Sequence, residues 1–206
     1  MPEANIIRTE KEQQAVRRTL ARRVDEYGEL EKYRLATVAG SAAEVIHYAG
    51  GLLFDRVMSG WEITVLVADS RDVRALHILG VDVVDLEVAL EWRGHQRLCP
   101  QGLAVAADLF ESDPRVRAGV LTTLALGTTE VMMFGASCPN ALGRELDCTT
   151  HHLSTAARAF KAHALAAAAA PVGAVPATEE FYVNDNHECS SARADLISIE
   201  LLRTGI

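Results

Sequence analysis

Apolar and polar positions along the chain follow two different periods, and the alternation between them predicts an α/β protein. The clearest signal is the run 61–69, in which β-branched and other apolar residues end at the carboxylate of Asp69. A run of this kind is typical of a strand in a buried parallel sheet. Similar runs at 34–40, 81–86 and 129–135 predict three further strands.

The segment between the first two strands carries helix signals. Ser41 is a suitable N-cap for a helix that runs to about Ser59. Gly50 and Gly51 lie inside it, and each costs a helix about 1 kcal/mol relative to alanine. The alternative of a strand at 44–48 with a turn at the two glycines therefore stays open.

Capping residues mark two further helices. Asp69 or Ser70 can cap a short helix that ends at Gly80. The strongest start signal in the chain is Asp113 followed directly by a proline, and it predicts a helix that ends at Gly127.

The remaining segments have weaker patterns. Residues 103–111 are assigned to a helix, and helical sequence resumes after residue 140 and continues into the alanine-rich run 156–170. The polar stretch 91–102 has neither period, so we interpret it as a loop that covers a cleft. The apolar patch at 196–202 is expected to dock as an edge strand or a terminal helix.

Residues 8–33 are predicted to form one amphipathic helix. Thr9 and Glu12 have the spacing of a capping box, and apolar residues follow at intervals of three and four. Positive charges dominate the part at 8–23, which could contact phosphate, but this part contains no aromatic residue for base stacking. We favour packing of the apolar stripe on the body of the protein or on a second copy.

Strands that alternate with helices imply right-handed crossovers and a mostly parallel sheet. We therefore predict a small doubly wound α/β domain with helices on both faces, which resembles doubly wound domains only in general. The predicted organisation is an N-terminal amphipathic helix at 1–33, an α/β core at 34–150, and an alanine-rich helix with a C-terminal tail at 151–206.

Composition and charge exclude several classes of protein. The 206 residues are 49% hydrophobic and 23% charged, as in ordinary globular domains. The net charge of −8 argues against nucleic acid and anionic membrane partners. No apolar segment has signal-peptide or membrane-spanning length, which predicts a cytoplasmic protein. The four cysteines form no CxxC pair, so free thiols are expected.

Small and polar residues follow three predicted strands, and ligands in open α/β sheets bind outside the carboxyl ends of strands. The candidate ligand-binding residues are Gly40, Ser41, Asp69, Ser70 and Ser137. Asp69 stands where a carboxylate accepts hydrogen bonds from a ribose diol in nucleotide-binding folds. No GxGxxG turn follows a candidate strand, so we favour a helix-capping role for Asp69, and no cofactor is identified.

Cys138 is the candidate catalytic residue. It lies in a loop of small residues that is predicted to precede a helix, where amide groups and the helix dipole would lower the pKa of the thiol. Such a nucleophile needs a base, and the sequence marks none of the seven histidines for this role. A buried packing residue is the favoured interpretation.

One further set of residues has zinc-binding chemistry. These residues are Cys148, His151, His152, His187 and Cys189. Their spacings, Cys-x-x-His-His and His-x-Cys, do not match a standard zinc motif. We therefore assign no metal site and interpret these residues as surface histidines and free thiols.

The sequence contains no recognisable catalytic constellation. The first hypothesis is therefore a non-catalytic binding or regulatory protein that recognises a small-molecule ligand at the strand ends, or a protein partner or second copy through the 8–33 helix. The alternative is an enzyme that acts on a small or nucleotide-like substrate in the same cleft. In that case Cys138 and Asp69 would be its working residues, and the loop at 91–101 would be its lid.

Overall fold

In the described part of the chain, helices flank one sheet. The computed structural model describes residues 32–91, 100–139, 142, 146–170, 173–184 and 196–198, the last as backbone only. The strands are β1 (Arg34–Ser41), β2 (Glu62–Asp69), β3 (Asp82–Asp85), β4 (Gly102–Ala106), β5 (Glu130–Phe134), β6 (Leu146–His152), β7 (Thr178–Asn184) and β8 (Leu196–Ser198). The helices are α1 (Ala42–Met58), α2 (Arg74–His77), α3 (Leu86–Glu91), α4 (Ala107–Ser112), α5 (Pro114–Leu126) and α6 (Thr155–Ala167).

The strands of the described residues form one mixed sheet in the order β3-β2-β1-β4-β5-β7-β6-β8. Strands β1 to β5 pair in parallel, whereas β7, β6 and β8 pair antiparallel. From β1 the chain builds outward through β2 and β3 on one side and through β4 and β5 on the other. The direction of winding therefore reverses between β1 and β4.

Helices cover both faces of the parallel part of the sheet. All five residues of β5 are buried, although neighbouring side chains of a strand point to opposite faces. Helices α1, α2 and α6 pack against one another, and α4 packs against α5. The predicted α/β class, with a mostly parallel sheet between helices, is confirmed.

Two predicted helix starts are confirmed by their caps. The hydroxyl of Ser41 accepts the N–H of Glu44 at the start of α1, and the carboxylate of Asp113 accepts a backbone N–H at the start of α5. Helix α5 stops at Gly127, whose φ of 66° lies in the left-handed region that glycine adopts without strain. The alternative strand at 44–48 is wrong, because α1 continues through both of its glycines.

Two helix predictions are wrong because the sequence pattern was ambiguous there. The segment 103–111 is divided between strand β4 and the short helix α4. Strand β4 is almost entirely buried, and a short apolar run that is buried on both faces lacks a period that separates strand from helix. The segment after residue 140 contains β6 before the helix α6, and β6 buries Leu146, Thr149 and His151.

The C-terminal part of the chain extends the sheet. Residues 196–198 of the apolar patch at 196–202 form the edge strand β8. This is one of the two predicted alternatives, an edge strand or a terminal helix. The predicted boundary at residue 150 falls within β6. Residues 1–31 and 92–99 lie outside the described residues, so the amphipathic helix and the covering loop stay predictions. No helix in the described part of the chain is long and apolar enough to cross a membrane.

Two polar clusters, one buried and one partly exposed, fix helix α1 to the rest of the fold. In the first, Glu179 of β7 accepts the N–H groups of Gly51 and Leu52, and Lys161 of α6 donates to both Glu179 and the carbonyl of His47. We call this cluster the Lys161–Glu179 clamp.

The second cluster lies near the end of the same helix. The carboxylate of Asp55 accepts hydrogen bonds from the hydroxyl and the N–H of Ser154 and contacts Nε2 of His151. Nδ1 of His151 is buried and has no hydrogen-bond partner among the described residues. We call this cluster the Asp55 clip.

Candidate functional site

A cleft lies where the winding of the sheet reverses, outside the carboxyl ends of β1 and β4. Ligands of doubly wound sheets bind in the crevice at such a reversal. The cleft has a volume of about 440 Å³, which falls in the range of small-molecule sites. Its lining residues come from the end of β1, the first two turns of α1 and the helix α4: Gly40, Ser41, Glu44, Tyr48, Asp108, Leu109 and Ser112.

Glu44 is placed in this cleft by the local structure of the strand-to-helix turn. Ser41 ends β1 in an extended conformation and caps α1, so Glu44 falls in the first turn of the helix. Oε2 of Glu44 accepts the N–H of Gly40 at 2.9 Å. A β-carbon at residue 40 would lie 3.2 Å from this oxygen, so glycine allows the close approach.

Burial raises the pKa of the Glu44 carboxyl above its ordinary value, because the charged form loses hydration there. The negative charge of Asp108 acts in the same direction, while the hydrogen bond from Gly40 and a backbone contact at Ser41 oppose the shift. The carboxyl of Glu44 therefore takes up a proton more readily than an ordinary surface glutamate.

The opposite wall of the cleft is also acidic. Asp108 lies exposed on α4, and the hydroxyl of Ser112 donates to the main-chain carbonyl of the same residue at 2.8 Å. The described residues that line the cleft include two carboxylates and no lysine, arginine or histidine. Such a lining favours neutral or positively charged groups over anions.

The cleft combines a partly buried carboxylate with hydroxyl groups and the start of a helix. These groups can accept and donate protons to a bound polar molecule. A catalytic zinc ion normally takes three protein ligands. Within the ranges that the structure describes, no group of three or more histidine, cysteine, aspartate or glutamate side chains could hold a metal ion.

Two of the predicted ligand-binding residues line this cleft, and three do not. Gly40 and Ser41 form part of its wall, whereas Asp69, Ser70 and Ser137 are outside its lining. Asp69 is the register partner of Ser41, one strand away on the same edge of the sheet.

The carboxylate of Asp69 is occupied by its own loop. It accepts the N–H of Arg71 at 3.0 Å and forms an ion pair with the Arg71 guanidinium. The favoured capping role is wrong, because α2 begins five residues after Asp69 and its first turn receives no side-chain cap. The hydrogen bond from the N–H of Arg71 to the carboxylate of Asp69 instead closes a local turn between these two residues.

The environment of Cys138 does not activate a thiol. Burial raises the pKa of Cys138, which is opposite to the lowered pKa expected for a nucleophile. The next regular element after this loop in the described chain is the strand β6 instead of a helix, so no helix dipole from a following helix is evident. Cys138 packs against the core, in line with the favoured interpretation, but it is only partly buried.

The candidate zinc-type residues of β6 are separated by the strand itself. His151 is buried and belongs to the Asp55 clip, whereas His152 is exposed and points to the other face of the sheet. Cys148 shares the face of His152. His187 and Cys189 lie outside the described residues.

Sequence reasoning missed Glu44, Tyr48 and Asp108. A signal for Glu44 was present, since Ser41 and Glu44 have the Ser-x-x-Glu spacing of a capping box. In the structure Glu44 contacts the backbone at Ser41 and also accepts the N–H of Gly40, one residue further back. Asp108 was placed inside a predicted helix at 103–111 and therefore was not recognised as following a strand.

Comparisons with known proteins identify the fold. No protein-family model and no curated protein matches the chain. Among solved structures, a triple mutant of a deacetylase of the teicoplanin biosynthetic pathway superposes with a TM-score of 0.52 at 12% identity, over 73% of this chain and 97% of the other. The A40926 pseudoaglycone deacetylase gives a TM-score of 0.50 at 12% identity, over 74% of this chain and 97% of the other.

These similarities correct the first functional hypothesis. A non-catalytic binding or regulatory protein was expected, but the similar structures are deacetylases, which are enzymes. The alternative hypothesis of an enzyme agrees better with them. At 12% identity the likeness establishes the fold and leaves the reaction to be tested.

Proposed function

We propose that this protein is a hydrolase that removes an acyl group from the nitrogen of a small polar substrate bound in the cleft between β1 and β4. The observation that carries the proposal is the position of Glu44: a partly buried carboxylate with a raised pKa at the winding reversal of the sheet. A general base needs such a shifted pKa. The fold shared with two deacetylases suggests amide hydrolysis as the reaction.

In this proposal Glu44 acts first as a base and then as an acid. Its carboxylate takes a proton from a water molecule, whose oxygen attacks the carbonyl carbon of the substrate amide. The resulting tetrahedral intermediate collapses as Glu44 returns the proton to the amide nitrogen. The carbon–nitrogen bond breaks with its electron pair on nitrogen, which releases a carboxylic acid and an amine.

In this proposal the N–H groups at the start of α1, next to the lining residues Ser41 and Glu44, stabilise the negatively charged oxygen of the intermediate and offset the acidic lining. The N–H groups of Ala42 and Ala43 have no carbonyl four residues earlier within the helix to bond to. The helix dipole adds positive potential at the same end. Hydrogen-bond donors of this kind contribute a large share of the catalysis in acyl transfer.

Asp108 suits the second product of the reaction. An amine that leaves the tetrahedral intermediate becomes positively charged in water near neutral pH. Asp108 faces the cleft from the wall opposite Glu44 and would offset that charge. No cationic side chain of the described lining competes for it.

The test is release of a primary amine from a panel of N-acetylated small molecules that includes amino sugars and amino acids. The assay is run with chelator and with added divalent cations. For a turned-over substrate, we expect Glu44→Gln to lower kcat by about a hundredfold or more, since a general base contributes that much. The matched control is Glu180→Gln, which changes an exposed glutamate on β7.

Two outcomes would contradict the proposal. One is the absence of amine release from the whole panel under every metal condition. The other is equal turnover by the Glu44→Gln and Glu180→Gln variants, because the reaction would then not use the carboxylate of Glu44.

A further inference from the structure

Helix α1 contributes residues to two separate parts of this fold. Its first two turns carry Glu44 and Tyr48, which line the cleft. Its middle turn contacts the buried charges of the Lys161–Glu179 clamp. The clamp therefore acts on the turn that directly follows the cleft wall.

The clamp is fully removed from water. The side chain of Lys161 is 1% exposed and that of Glu179 is 2% exposed. Nζ of Lys161 lies 2.6 Å from Oε1 of Glu179 and 2.5 Å from the carbonyl oxygen of His47. The two oxygens of Glu179 accept the N–H groups of Gly51 and Leu52 at 2.7 and 2.8 Å.

These hydrogen bonds join the clamp to the backbone of α1. In a regular α-helix the N–H groups of Gly51 and Leu52 point to the carbonyls of His47 and Tyr48. Here the same N–H groups also meet a carboxylate, and the carbonyl of His47 meets an ammonium group. The backbone on both sides of Tyr48 is thereby tied to β7 and α6.

Stability alone is a weak reason for such a pair. Removing two charges from water is costly, and replacing a buried ion pair by apolar residues of similar volume is often neutral or stabilising. A buried pair can instead fix one geometry among several. The geometry fixed here is that of the helix segment that bears Glu44 and Tyr48.

We propose that Lys161 and Glu179 are positioning residues for the cleft, which hold the first two turns of α1 so that Glu44 and Tyr48 face the wall formed by α4. This inference rests on the proposed function, because it takes Glu44 to be the catalytic carboxylate. Lys161 and Glu179 do not line the cleft and act on it only through the backbone of α1.

The Asp55 clip provides a matched control on the same helix. It also joins α1 to a distant part of the chain, through half-buried Asp55, buried His151 and exposed Ser154. It holds the helix near its C-terminal end, farther along the chain from Glu44 than the clamp is. Breaking the clip should lower stability without moving the cleft wall.

The experiment compares four full-length proteins: wild type, the double variant Lys161→Met/Glu179→Leu, Glu179→Gln, and the control Asp55→Asn. The readout is a carbon-13 NMR titration of the Glu44 carboxyl. Its signal is identified as the carboxyl resonance that is absent from the spectrum of Glu44→Gln. The titration needs no substrate, so it does not depend on the proposed reaction. Urea unfolding of each variant separates loss of stability from a local change.

We expect the titration midpoint of Glu44 to move by about half a pH unit or more in the double variant, because the burial of this carboxyl, its hydrogen bond from Gly40 and its repulsion by Asp108 all depend on where the side chain lies. In the control the midpoint should match wild type. Where turnover is found, kcat should fall about tenfold or more with a smaller change in KM, since misplacing a catalytic group by 1 Å is costly.

Two results would overturn the inference. One is a folded double variant, or a folded Glu179→Gln variant, with the wild-type titration midpoint for Glu44. The other is an equal shift in Asp55→Asn, because the effect would then follow general loosening of α1. If either clamp variant fails to fold, the other still decides the question.

Discussion

Gly51 lies so close to Leu153 that a β-carbon at residue 51 would come within 2.3 Å of two side-chain carbons of Leu153. It would also come within 3.0 Å of a carboxylate oxygen of Glu179. Glycine at this position lets α1 approach both the loop before α6 and strand β7. The preceding residue, Gly50, has its nearest such neighbour at 3.4 Å, which is ordinary contact.

Gly51→Ala should therefore destabilise the protein, and Gly50→Ala should not. We expect a loss of about 2–3 kcal/mol for Gly51→Ala, as for overpacking in a buried site. For Gly50→Ala we expect no loss or a gain of up to about 1 kcal/mol, from the better helix propensity of alanine. Urea unfolding of the two variants measures the difference. Equal stability of the two would show that Leu153 moves aside freely.

The Asp55 clip makes a second prediction. Asp55→Ala removes the acceptor of the Ser154 hydroxyl, 2.6 Å away, and the partner of buried His151. We expect a loss of about 1–3 kcal/mol, the cost of leaving the buried imidazole of His151 unsatisfied. Thr122→Ala is a suitable control, because its hydroxyl bonds to a carbonyl on an exposed face of α5. A loss no larger than in this control would show that the clip contributes nothing.

The pH dependence of activity tests the electrostatics of the cleft. A base must be ionised to act, so the rate should rise with pH through the pKa of Glu44, which lies above its ordinary value of 4.5. Asp108→Asn removes a negative charge that raises this pKa, so the rising limb should move to lower pH. Glu111→Gln, on the same helix but outside the cleft lining, should leave it in place. An unmoved limb in Asp108→Asn would contradict the coupling.

The raised pKa of Glu44 also predicts how the stability of the protein changes with pH. A carboxyl whose pKa is raised by folding adds stability below its unfolded pKa, and this contribution is lost as pH rises through the folded pKa. Replacement of Glu44 by glutamine should therefore improve stability relative to wild type more at pH 8 than at pH 4. Thermal unfolding of both proteins at these two pH values measures the change, and an opposite trend would mean that the carboxylate is stabilised by folding.

The thiol of Cys138 should react slowly. Since burial raises its pKa, a smaller fraction is thiolate at neutral pH than for a free cysteine. We expect alkylation by iodoacetamide at pH 7 to be slower than that of a cysteine in a short peptide, followed by mass spectrometry of the digested protein. Faster alkylation would restore the case for a nucleophile.

The parts of the fold that the sequence predicted are those with an unambiguous local signal. The run at 61–69 became β2, and Asp113 with the following proline began α5, because strand burial and capping are determined locally. Strand β4 was taken for a helix, because its apolar residues are covered on both faces and lack alternation. Strand β6 was missed because it gains its partners from residues far along the chain.

The candidate site was predicted in part for the same reason. The rule that ligands meet strand ends found Gly40 and Ser41. It also selected Asp69, whose carboxylate is held by Arg71 two residues later. Asp108 was lost with β4, since a residue just after an unrecognised strand is not placed at the edge of the sheet. The raised pKa of Glu44 depends on burial, which the sequence does not give.

The hydrogen bond between Gly51 and Glu179 spans 128 positions of the chain. Strand β7 lies between β5 and β6 in the sheet, so β6 joins the parallel strands only through β7, which comes later in the chain. During synthesis the N-terminal strands emerge first, but the wall that carries Glu44 is tied down only after residue 179 has left the ribosome. Contacts this distant form late and slow the search for the native state. In a nascent chain the cleft residues are therefore synthesised long before the contacts that hold the cleft wall in place can form.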